Sequence, residues 1–286
     1  IRNQSYADFE LVVVDDGSID DSAQIADAYA AKDIRIKVFH KPNGGANSAR
    51  NYALEYVRGE YVTFCDADDY VDDNWLQAFA DHLDAADVIV QGWKYVTDSI
   101  RESHFEEKLC DSATSADIMS ARESFGFLVN KCFRTELIRN ARLRFDERFR
   151  FLEDEEFVCR YWTMIKQVKF VNNAAYNYVV PDFNGKYQTV DNFYLYQSLL
   201  DNASLFISSK DSITMKKYTM GLFRSMMLAY EHKQYREGWR RLKLVAAYSQ
   251  RFWQYNKYMK YVRMWNYPLW HPFLIAYFEF SLDSIL

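Results

Sequence analysis

The sequence predicts an α/β fold, with a mostly parallel β-sheet flanked by helices and an all-helical C-terminal region. Three observations carry this prediction. Over residues 1–95, short β-branched runs alternate with segments of helical period, which favours a parallel sheet. Two of these runs end in clusters of aspartate. After about Val190 the apolar residues keep helical spacing, and little strand signal remains.

The first elements follow one another closely. Phe9 to Val14 is an apolar run without helical period, which predicts a buried strand. Capping residues and helical spacing predict a helix over 20–32. Ile34 to Phe39 alternates apolar and charged residues, as a half-exposed strand does, and a second helix is predicted over 46–57.

The same alternation continues downstream. Tyr61 to Cys65 and Asp87 to Trp93 have the composition of buried strands, and the amphipathic segment Trp75 to Leu83 lies between them. Further along, we expect a helix that ends near Lys166 and a last strand over Val168 to Val171.

Charge divides the chain into two regions. Its 286 residues carry a formal net charge of −5. Residues 1–189 contain 22 Lys and Arg against 33 Asp and Glu, whereas residues 190–265 contain 13 against 5. We therefore expect two domains, 1–189 and 190–286. The acidic first domain would repel a polyanion, which argues against a nucleic-acid partner.

Several other classes of protein are disfavoured. The four cysteines form no C-x-x-C pair, so neither a zinc knuckle nor a disulfide framework is indicated, and a reducing compartment fits best. The longest apolar stretch, around Tyr267 to Leu282, is interrupted by charged residues and proline and is too short to span a membrane.

Acid clusters follow two of the predicted strands. In open α/β sheets, ligands bind at the carboxyl ends of the strands, so Asp15-Asp16-Gly17-Ser18 and Asp66-Ala67-Asp68-Asp69 should share one site. Carboxylates after the first strand suit a base or a ribose, and the second cluster suits Mg²⁺ or Mn²⁺, which bridges a diphosphate. The plain alternative for each cluster is a solvated turn.

Two further segments are candidates for the site. Asn43 to Asn51 is a glycine-bearing loop that runs into a helix, where amides and Arg50 suit a phosphate or an acid. Glu153 to Glu156 opens another helix. Taken alone, the first reads equally well as a plain loop, and the second as an acidic first turn that the helix dipole stabilises.

Together these segments resemble a known family. The motifs V-V-V-D-D-G-S-x-D, N-G-G-x-x-x-A-R-N, G-E-Y-V-T-F-C-D-A-D-D and L-E-D-E-E-F occur in this order over residues 1–180. They closely resemble the family two glycosyltransferases, which have the Rossmann-like GT-A fold. The resemblance implies an inverting enzyme that moves a sugar from a nucleotide sugar to a saccharide or lipid-linked acceptor, in cell-surface polysaccharide synthesis, with UDP as the first-ranked nucleotide.

The resemblance also implies which residues bind the donor. Asp16, with Asp15 beside it, would contact the nucleotide base, and Arg50 would lie along the nucleotide. Asp66 would face the ribose or the diphosphate.

Metal and catalytic positions follow from the same match. Asp68, with Asp66 in the D-x-D motif, corresponds to the position that coordinates Mn²⁺ or Mg²⁺, and Asp69 would hold the loop. Glu153-Asp154 matches the family's E-D motif, whose aspartate is the catalytic base, so Asp154 is the predicted base.

Two other hypotheses stay open at this point. A nucleotidyltransferase also uses paired carboxylates and a metal but attacks phosphorus. A catalytically silent module that binds a nucleotide sugar or a glycan would carry the same binding residues without turnover.

The sequence departs from the family pattern at two places. Relatives begin with a strand and a helix for which nothing here corresponds, so we expect about thirty residues to be missing, an unfilled core edge and poor activity. Relatives also carry arginine after a Tyr-x-Tyr segment, whereas Tyr176-Asn177-Tyr178 is followed by Val179. Lys131 or Lys186 would then supply the basic contact to the diphosphate.

Residues 190–286 combine cations with many aromatic residues. Basic amphipathic helices with Trp and Tyr suit an anionic membrane surface. We therefore expect a cytoplasmic protein that contacts the inner face of the cell membrane peripherally through this region. The plain alternative is a helical subdomain with an aromatic core and a solvated basic face.

Overall fold

The structure of the protein is a computed structural model, which describes residues 1–149, 152–180 and 192–255. It divides into two compact units, Ile1–Lys186 and Tyr187–Leu286. The predicted domain boundary after residue 189 lies outside the described residues and stays a prediction. Lys186 lies outside them too, so its predicted contact with the diphosphate also stays a prediction.

Over residues 1–90 the first unit largely alternates strands and helices, as the sequence predicts, and several strands follow one another after that. Its strands are β1 (Leu11–Asp15), β2 (Ile36–His40), β3 (Tyr61–Val62), β4 (Tyr70–Val71), β5 (Val88–Val90), β6 (Trp93–Val96), β7 (Ile100–Ser103), β8 (Lys108–Asp111), β9 (Lys131–Arg134), β10 (Gln167–Phe170) and β11 (Tyr176–Val179). Its helices are α1 (Ser22–Ala30), α2 (Ala46–Tyr56), α3 (Trp75–Ala80), α4 (Ser112–Ser120), α5 (Thr135–Asn140) and α6 (Glu153–Trp162).

The strands form three sheets of mixed direction. Their orders are β1-β2, β3-β9-β5-β10-β8 and β4-β11-β6-β7. Within the described part of the chain, three strand pairs are parallel and five are antiparallel. The fold is α/β, as predicted, but its sheets are mixed in direction rather than mostly parallel. The reason is that a buried strand shows the same apolar run whichever way its neighbours point. For example, β9 lies between β3 and β5 and is antiparallel to both.

The predicted strand Asp87 to Trp93 is in fact two strands. Its first part, β5, lies in the five-stranded sheet, and β6 lies in the four-stranded one. Gly92 stands between them, where a Cβ atom would come within 2.0 Å of the Ser103 carbonyl oxygen. Only glycine therefore allows the chain to pass from one sheet to the other at this point.

An aromatic cluster fills the core beside β3, β9 and α6. The rings of Phe145 and Phe157 stack with their centroids 4.0 Å apart, and Phe64 and Phe133 pack edge-on against Phe157. Phe133 and Phe157 are completely buried. Because Phe157 lies on α6, this cluster fixes the helix that begins with Glu153 and Asp154.

Strand β1 and helix α1 are less buried. All five residues of β1 are half-buried, and α1 buries none of its nine residues. The expectation of an unfilled core edge stays a prediction.

The described part of the second unit is helical, as predicted. It contains α7 (Phe193–Ala203), α8 (Ile213–Glu231), α9 (Tyr235–Phe252) and a 3₁₀ turn (Trp253–Tyr255). Helix α8 packs against both α7 and α9. None of the helices in the described ranges is both long enough and apolar enough to cross a membrane.

Candidate active site

Arg50 lies at the centre of a cluster of acids. Helix α2 carries it, and its Nη1 donates a hydrogen bond of 2.6 Å to Asp154 Oδ1, while its Nη2 donates one of 3.0 Å to Asp66 Oδ1. Glu153 Oε1 is 3.9 Å from Nη1. The guanidinium lies over the ring of Phe145, 5.5 Å from its centroid. Three motifs that are far apart in the sequence thus meet at one side chain.

Two asparagines of α2 hold the segment that leads to α6. Asn47 Nδ2 donates to the carbonyl oxygens of Asp146 and Phe149, each at 3.0 Å. Asn51 makes a reciprocal pair with Phe145, since its Nδ2 donates to that residue's carbonyl oxygen at 2.9 Å and its Oδ1 accepts from the amide at 2.7 Å. The helix that presents Arg50 therefore also positions the chain just before Glu153 and Asp154.

The surroundings of Asp154 favour its neutral form. Burial raises the pKa of its carboxyl to about 7, and the carboxylates of Glu153 and Asp66 act in the same direction. The Arg50 guanidinium opposes them. A carboxyl with a pKa near neutrality is suited to accept a proton at physiological pH.

The D-x-D loop is held by strand β11. Tyr176 Oη donates to Asp69 Oδ2 at 2.6 Å and accepts from the Asp66 amide at 3.1 Å. The Val179 amide donates to Asp69 Oδ1 at 2.8 Å. Burial raises the pKa of Asp69. These contacts support the role implied for Asp69, and they leave the Asp68 side chain exposed at the tip of the loop.

Asp16 organises the glycine-bearing loop. Lys41 Nζ donates to its Oδ1 at 2.5 Å, and the amides of Gly44 and Gly45 donate to the same carboxylate. Burial works against ionisation here, but these donors prevail and lower the pKa of Asp16. Gly45 has a φ of +87°, which few other residues adopt. The loop leads directly into α2, and so to Arg50.

Asp15 belongs to a neighbouring set of contacts. Its carboxylate accepts from the Ser18 amide at 3.0 Å and lies 3.0 Å from His40 Nδ1, whose other ring nitrogen is 3.1 Å from Asp27. The hydrogen bonds from Ser18 and His40 lower the pKa of Asp15 to about 2, and Asp15 and Asp27 raise the pKa of His40.

The predicted site residues thus fall into three groups. Arg50, Asp66, Glu153 and Asp154 are brought together. Asp15 and Asp16 order the turns that precede α1 and α2. Asp68 stands apart on its loop, and the described residues contain no group of three or more His, Cys, Asp or Glu side chains arranged to hold a metal ion.

The prediction that Lys131 supplies a basic contact is wrong. Its side chain is completely buried, and its Nζ donates to the carbonyl oxygens of Ser124 and Phe127 and to Asn130 Oδ1. All three ammonium protons are therefore used inside the fold. Burial also holds the pKa of Lys131 well below its usual range.

Four residues support the site in ways that the sequence did not predict: Lys41, Asn47, Asn51 and Tyr176. A signal existed for the asparagines, because positions 47 and 51 are one helical turn apart and lie on the same face of α2 as a pair. Lys41 and Tyr176 had no comparable signal.

Comparisons with known proteins show the family of this chain. Residues 1–170 match the model of "Glycosyl transferase family 2". The uncharacterized glycosyltransferase EpsJ of Bacillus subtilis is 32% identical over 62% of this chain and 54% of its own length. The poly(ribitol-phosphate) beta-N-acetylglucosaminyltransferase TarS of Staphylococcus aureus is 28% identical over 72% of this chain and 37% of its own.

A solved structure has the same fold. Residues 1–349 of S. aureus TarS in complex with UDP-GlcNAc align with a TM-score of 0.65 at 19% identity, covering 92% of this chain and 81% of that one. The chain spans about half the length of the curated relatives that it matches, such as EpsJ.

Proposed function

This chain belongs to glycosyl transferase family 2 and has the GT-A fold that its motifs predict, and we propose that it is an inverting glycosyltransferase. It would move a sugar from a nucleotide sugar to a saccharide or lipid-linked acceptor in cell-surface polysaccharide synthesis. One observation carries the proposal: Arg50 joins the D-x-D acid Asp66 to the E-D acid Asp154 in one cluster. In this proposal, the acid that faces the donor and the acid that acts as the base would lie side by side.

The names of the relatives support this substrate class. TarS is named for the transfer of N-acetylglucosamine to poly(ribitol phosphate), and a second relative, GgaB of B. subtilis, is named for minor teichoic acid biosynthesis. The first name describes sugar transfer to a polymer, and the second describes the synthesis of a teichoic acid. UDP is our first choice of nucleotide, on the family resemblance of the motifs.

The proposed reaction is a single displacement. The ionised Asp154 carboxylate takes the proton from the acceptor hydroxyl as its oxygen forms a bond to the anomeric carbon. The bond from that carbon to the diphosphate oxygen breaks on the opposite face, and the nucleoside diphosphate leaves with the electron pair. This geometry inverts the anomeric centre and needs no covalent intermediate with the enzyme.

Mn²⁺ or Mg²⁺ is proposed at the D-x-D loop. Asp68 and Asp66 offer the hard carboxylate oxygens that these ions prefer, Asp68 is exposed, and the Asp69 contacts to Tyr176 and Val179 fix the loop. When bound, the ion would stabilise the charge that develops on the leaving diphosphate. Donor contacts from Asp15 and Asp16 are part of the same proposal.

Thermal unfolding with UDP, GDP and dTDP, each with and without Mn²⁺, tests the donor class. We expect UDP with Mn²⁺ to raise the melting temperature, because a ligand at 100 times its Kd stabilises the folded state by about 2.7 kcal/mol. Asp68→Asn tests the metal site, because it removes one exposed carboxylate of the D-x-D loop and should abolish the effect of Mn²⁺ on the melting temperature. A lack of shift with all three nucleotides would favour the silent-module hypothesis.

We also propose that α9 contacts an anionic membrane surface. Five cations and one acid lie on this helix, and the acid, Glu237, is already paired with Arg240 and Arg241. Its outward stripe consists of Arg236, Trp239, Arg240, Lys243, Ala247 and Gln250, all exposed. Trp239 is 43% exposed, and indole rings beside cations suit the headgroup level of a membrane. A cytoplasmic protein held peripherally at the inner face of the cell membrane would use this stripe.

Vesicle binding tests the stripe. Arg236→Gln with Lys243→Gln should weaken binding to phosphatidylglycerol-containing vesicles about 30-fold, because each cation near the surface contributes about 1 kcal/mol. The matched control, Lys216→Gln with Arg224→Gln, removes the same charge from exposed positions of α8. An equal loss in both variants, or no binding by the parent protein, would contradict the proposal.

A further inference from the structure

The two Nη atoms of Arg50 donate hydrogen bonds to different acids. Nη2 donates to Asp66, on the proposed donor side, and Nη1 donates to Asp154, the proposed base. The hydrogen bond to Asp154 occupies Oδ1, one of the two oxygens with which a base would meet an acceptor hydroxyl. In this structure, then, the base is engaged by the cation that also faces the donor site.

Arg50 is enclosed by more negative charge than it can neutralise. The carboxylates of Asp66, Glu153 and Asp154 all lie within 4 Å of its guanidinium nitrogens, and only 16% of its side chain is exposed. The ring of Phe145 covers one face. A diphosphate placed beside Asp66 would add further negative charge and compete directly for the guanidinium.

We propose that Arg50 is a positioning residue that couples donor binding to the state of the base. The inference rests on the proposed function. When a nucleoside diphosphate occupies the site beside Asp66, the guanidinium turns toward it and its hydrogen bond to Asp154 weakens. Oδ1 of Asp154 then becomes free for the acceptor hydroxyl, and the carboxylate becomes a stronger base because it has lost a cation. Donor binding thus frees Oδ1 and raises the proton affinity of the carboxylate, so the pH at which the base is half ionised moves upward.

The groups that face Asp154 come from four parts of the fold. They are Arg50 on α2, Asp66 after β3, Glu153 on the same helix, and Lys131 on β9. Lys131 is held by carbonyl oxygens and Asn130 in the interior, so it is fixed. Arg50 is the cation of this set that lies against the proposed donor site, and its movement would therefore alter the proton affinity of Asp154.

Proton uptake on nucleotide binding tests the coupling. UDP with Mn²⁺ is titrated into the protein at pH 7 by calorimetry, in two buffers that differ in ionisation enthalpy. A rise of about one unit from a pKa of about 7 corresponds to an uptake of about 0.4 proton for each UDP bound. Asp154→Asn should remove this uptake. Arg50→Lys keeps the positive charge but cannot donate to Asp66 and Asp154 in the same geometry, so it should reduce the uptake by more than half.

Each outcome decides something different. Equal uptake in the parent and Arg50→Lys would mean that the field of the diphosphate acts alone, and equal uptake in Asp154→Asn would assign the proton to another group; either would overturn the inference. If UDP binds without uptake, the inference fails and the proposed function stands. If UDP does not bind, the proposed donor fails and the inference with it.

A second measurement needs no variant. The pH profile of kcat/KM reports the free enzyme, and that of kcat reports the enzyme with its substrates bound. Because the base must be ionised, both kcat and kcat/KM fall at acidic pH. If donor binding raises the pKa of the base, the fall in kcat should be centred about one pH unit above the fall in kcat/KM for the donor. Coincident limbs would overturn the inference, whereas a merely structural role for Arg50 would leave both profiles at the same pH.

Discussion

Replacing Asp154 with asparagine should lower kcat by about 10³-fold, since general-base catalysis contributes about 10²–10⁴-fold in enzymes. The amide has nearly the shape of the carboxylate but cannot accept the acceptor's proton. Arg50 keeps its contacts with Asp66 and Glu153, so the cluster should remain assembled. We therefore expect the Kd for UDP to change by less than about threefold. Steady-state kinetics and a binding titration on the same preparation measure both quantities.

The neighbouring residue provides the matched control. Glu153→Gln removes one charge from the adjacent position, but its carboxylate lies 3.9 Å from Arg50 and makes a weaker contact. Its effect on kcat should be about tenfold or less. A larger loss in Glu153→Gln than in Asp154→Asn would exchange the roles of the two acids. If binding and turnover fall together in Asp154→Asn, Asp154 is a scaffold residue.

Phe157→Ala should reduce the free energy of unfolding by about 3–5 kcal/mol, the range found when a buried aromatic side chain is deleted from a core. Phe157 is completely buried, stacks on Phe145, and contacts Phe64 and Phe133 through their edges. The cavity would lie directly below α6 and next to the ring that supports Arg50. Chemical denaturation monitored by far-UV circular dichroism measures the loss.

An exposed apolar residue serves as the comparison for Phe157. Ile34 is 95% exposed, so Ile34→Ala should change stability by less than about 0.5 kcal/mol. A loss below about 1 kcal/mol in Phe157→Ala would show that the aromatic cluster does not hold α6 in place. We expect Phe157→Ala to lower activity as well, because Asp154 lies on the first turn of that helix.

Residue type and order predicted that Asp66, Glu153 and Asp154 belong to the site, but they also grouped Asp15, Asp16 and Asp68 with these acids, and they did not show how the acids pair. Asp66, Glu153 and Asp154 belong to motifs that a family resemblance makes readable. The sequence placed Arg50 along a nucleotide, whereas in the structure its guanidinium bridges two of these acids. That pairing joins positions 104 residues apart, and no local pattern records it.

Burial explains the error at Lys131. The stretch N-K-C-F-R reads as a basic segment, yet β9 places the lysine in the interior, where three oxygen atoms accept its protons. A lone charged residue in a short apolar run gives no indication of the face that it will occupy. The direction of the strands could not be predicted either, because the apolar run of β5 predicts a buried strand but does not show that its neighbour β9 runs antiparallel to it.

The asparagine contacts of α2 bear on how the protein folds. Asn47, Arg50 and Asn51 each bond to residues 94 to 104 positions further along the chain. Closing so long a loop restricts the unfolded chain before any of these bonds forms, and non-local contacts of this type slow folding. We therefore expect the Arg50 cluster to assemble late, after the strands and helices of both sequence segments have formed. A nascent chain released from the ribosome before α6 is synthesised would contain the D-x-D loop and Arg50. It would lack Asp154, the second acid to which Arg50 donates a hydrogen bond.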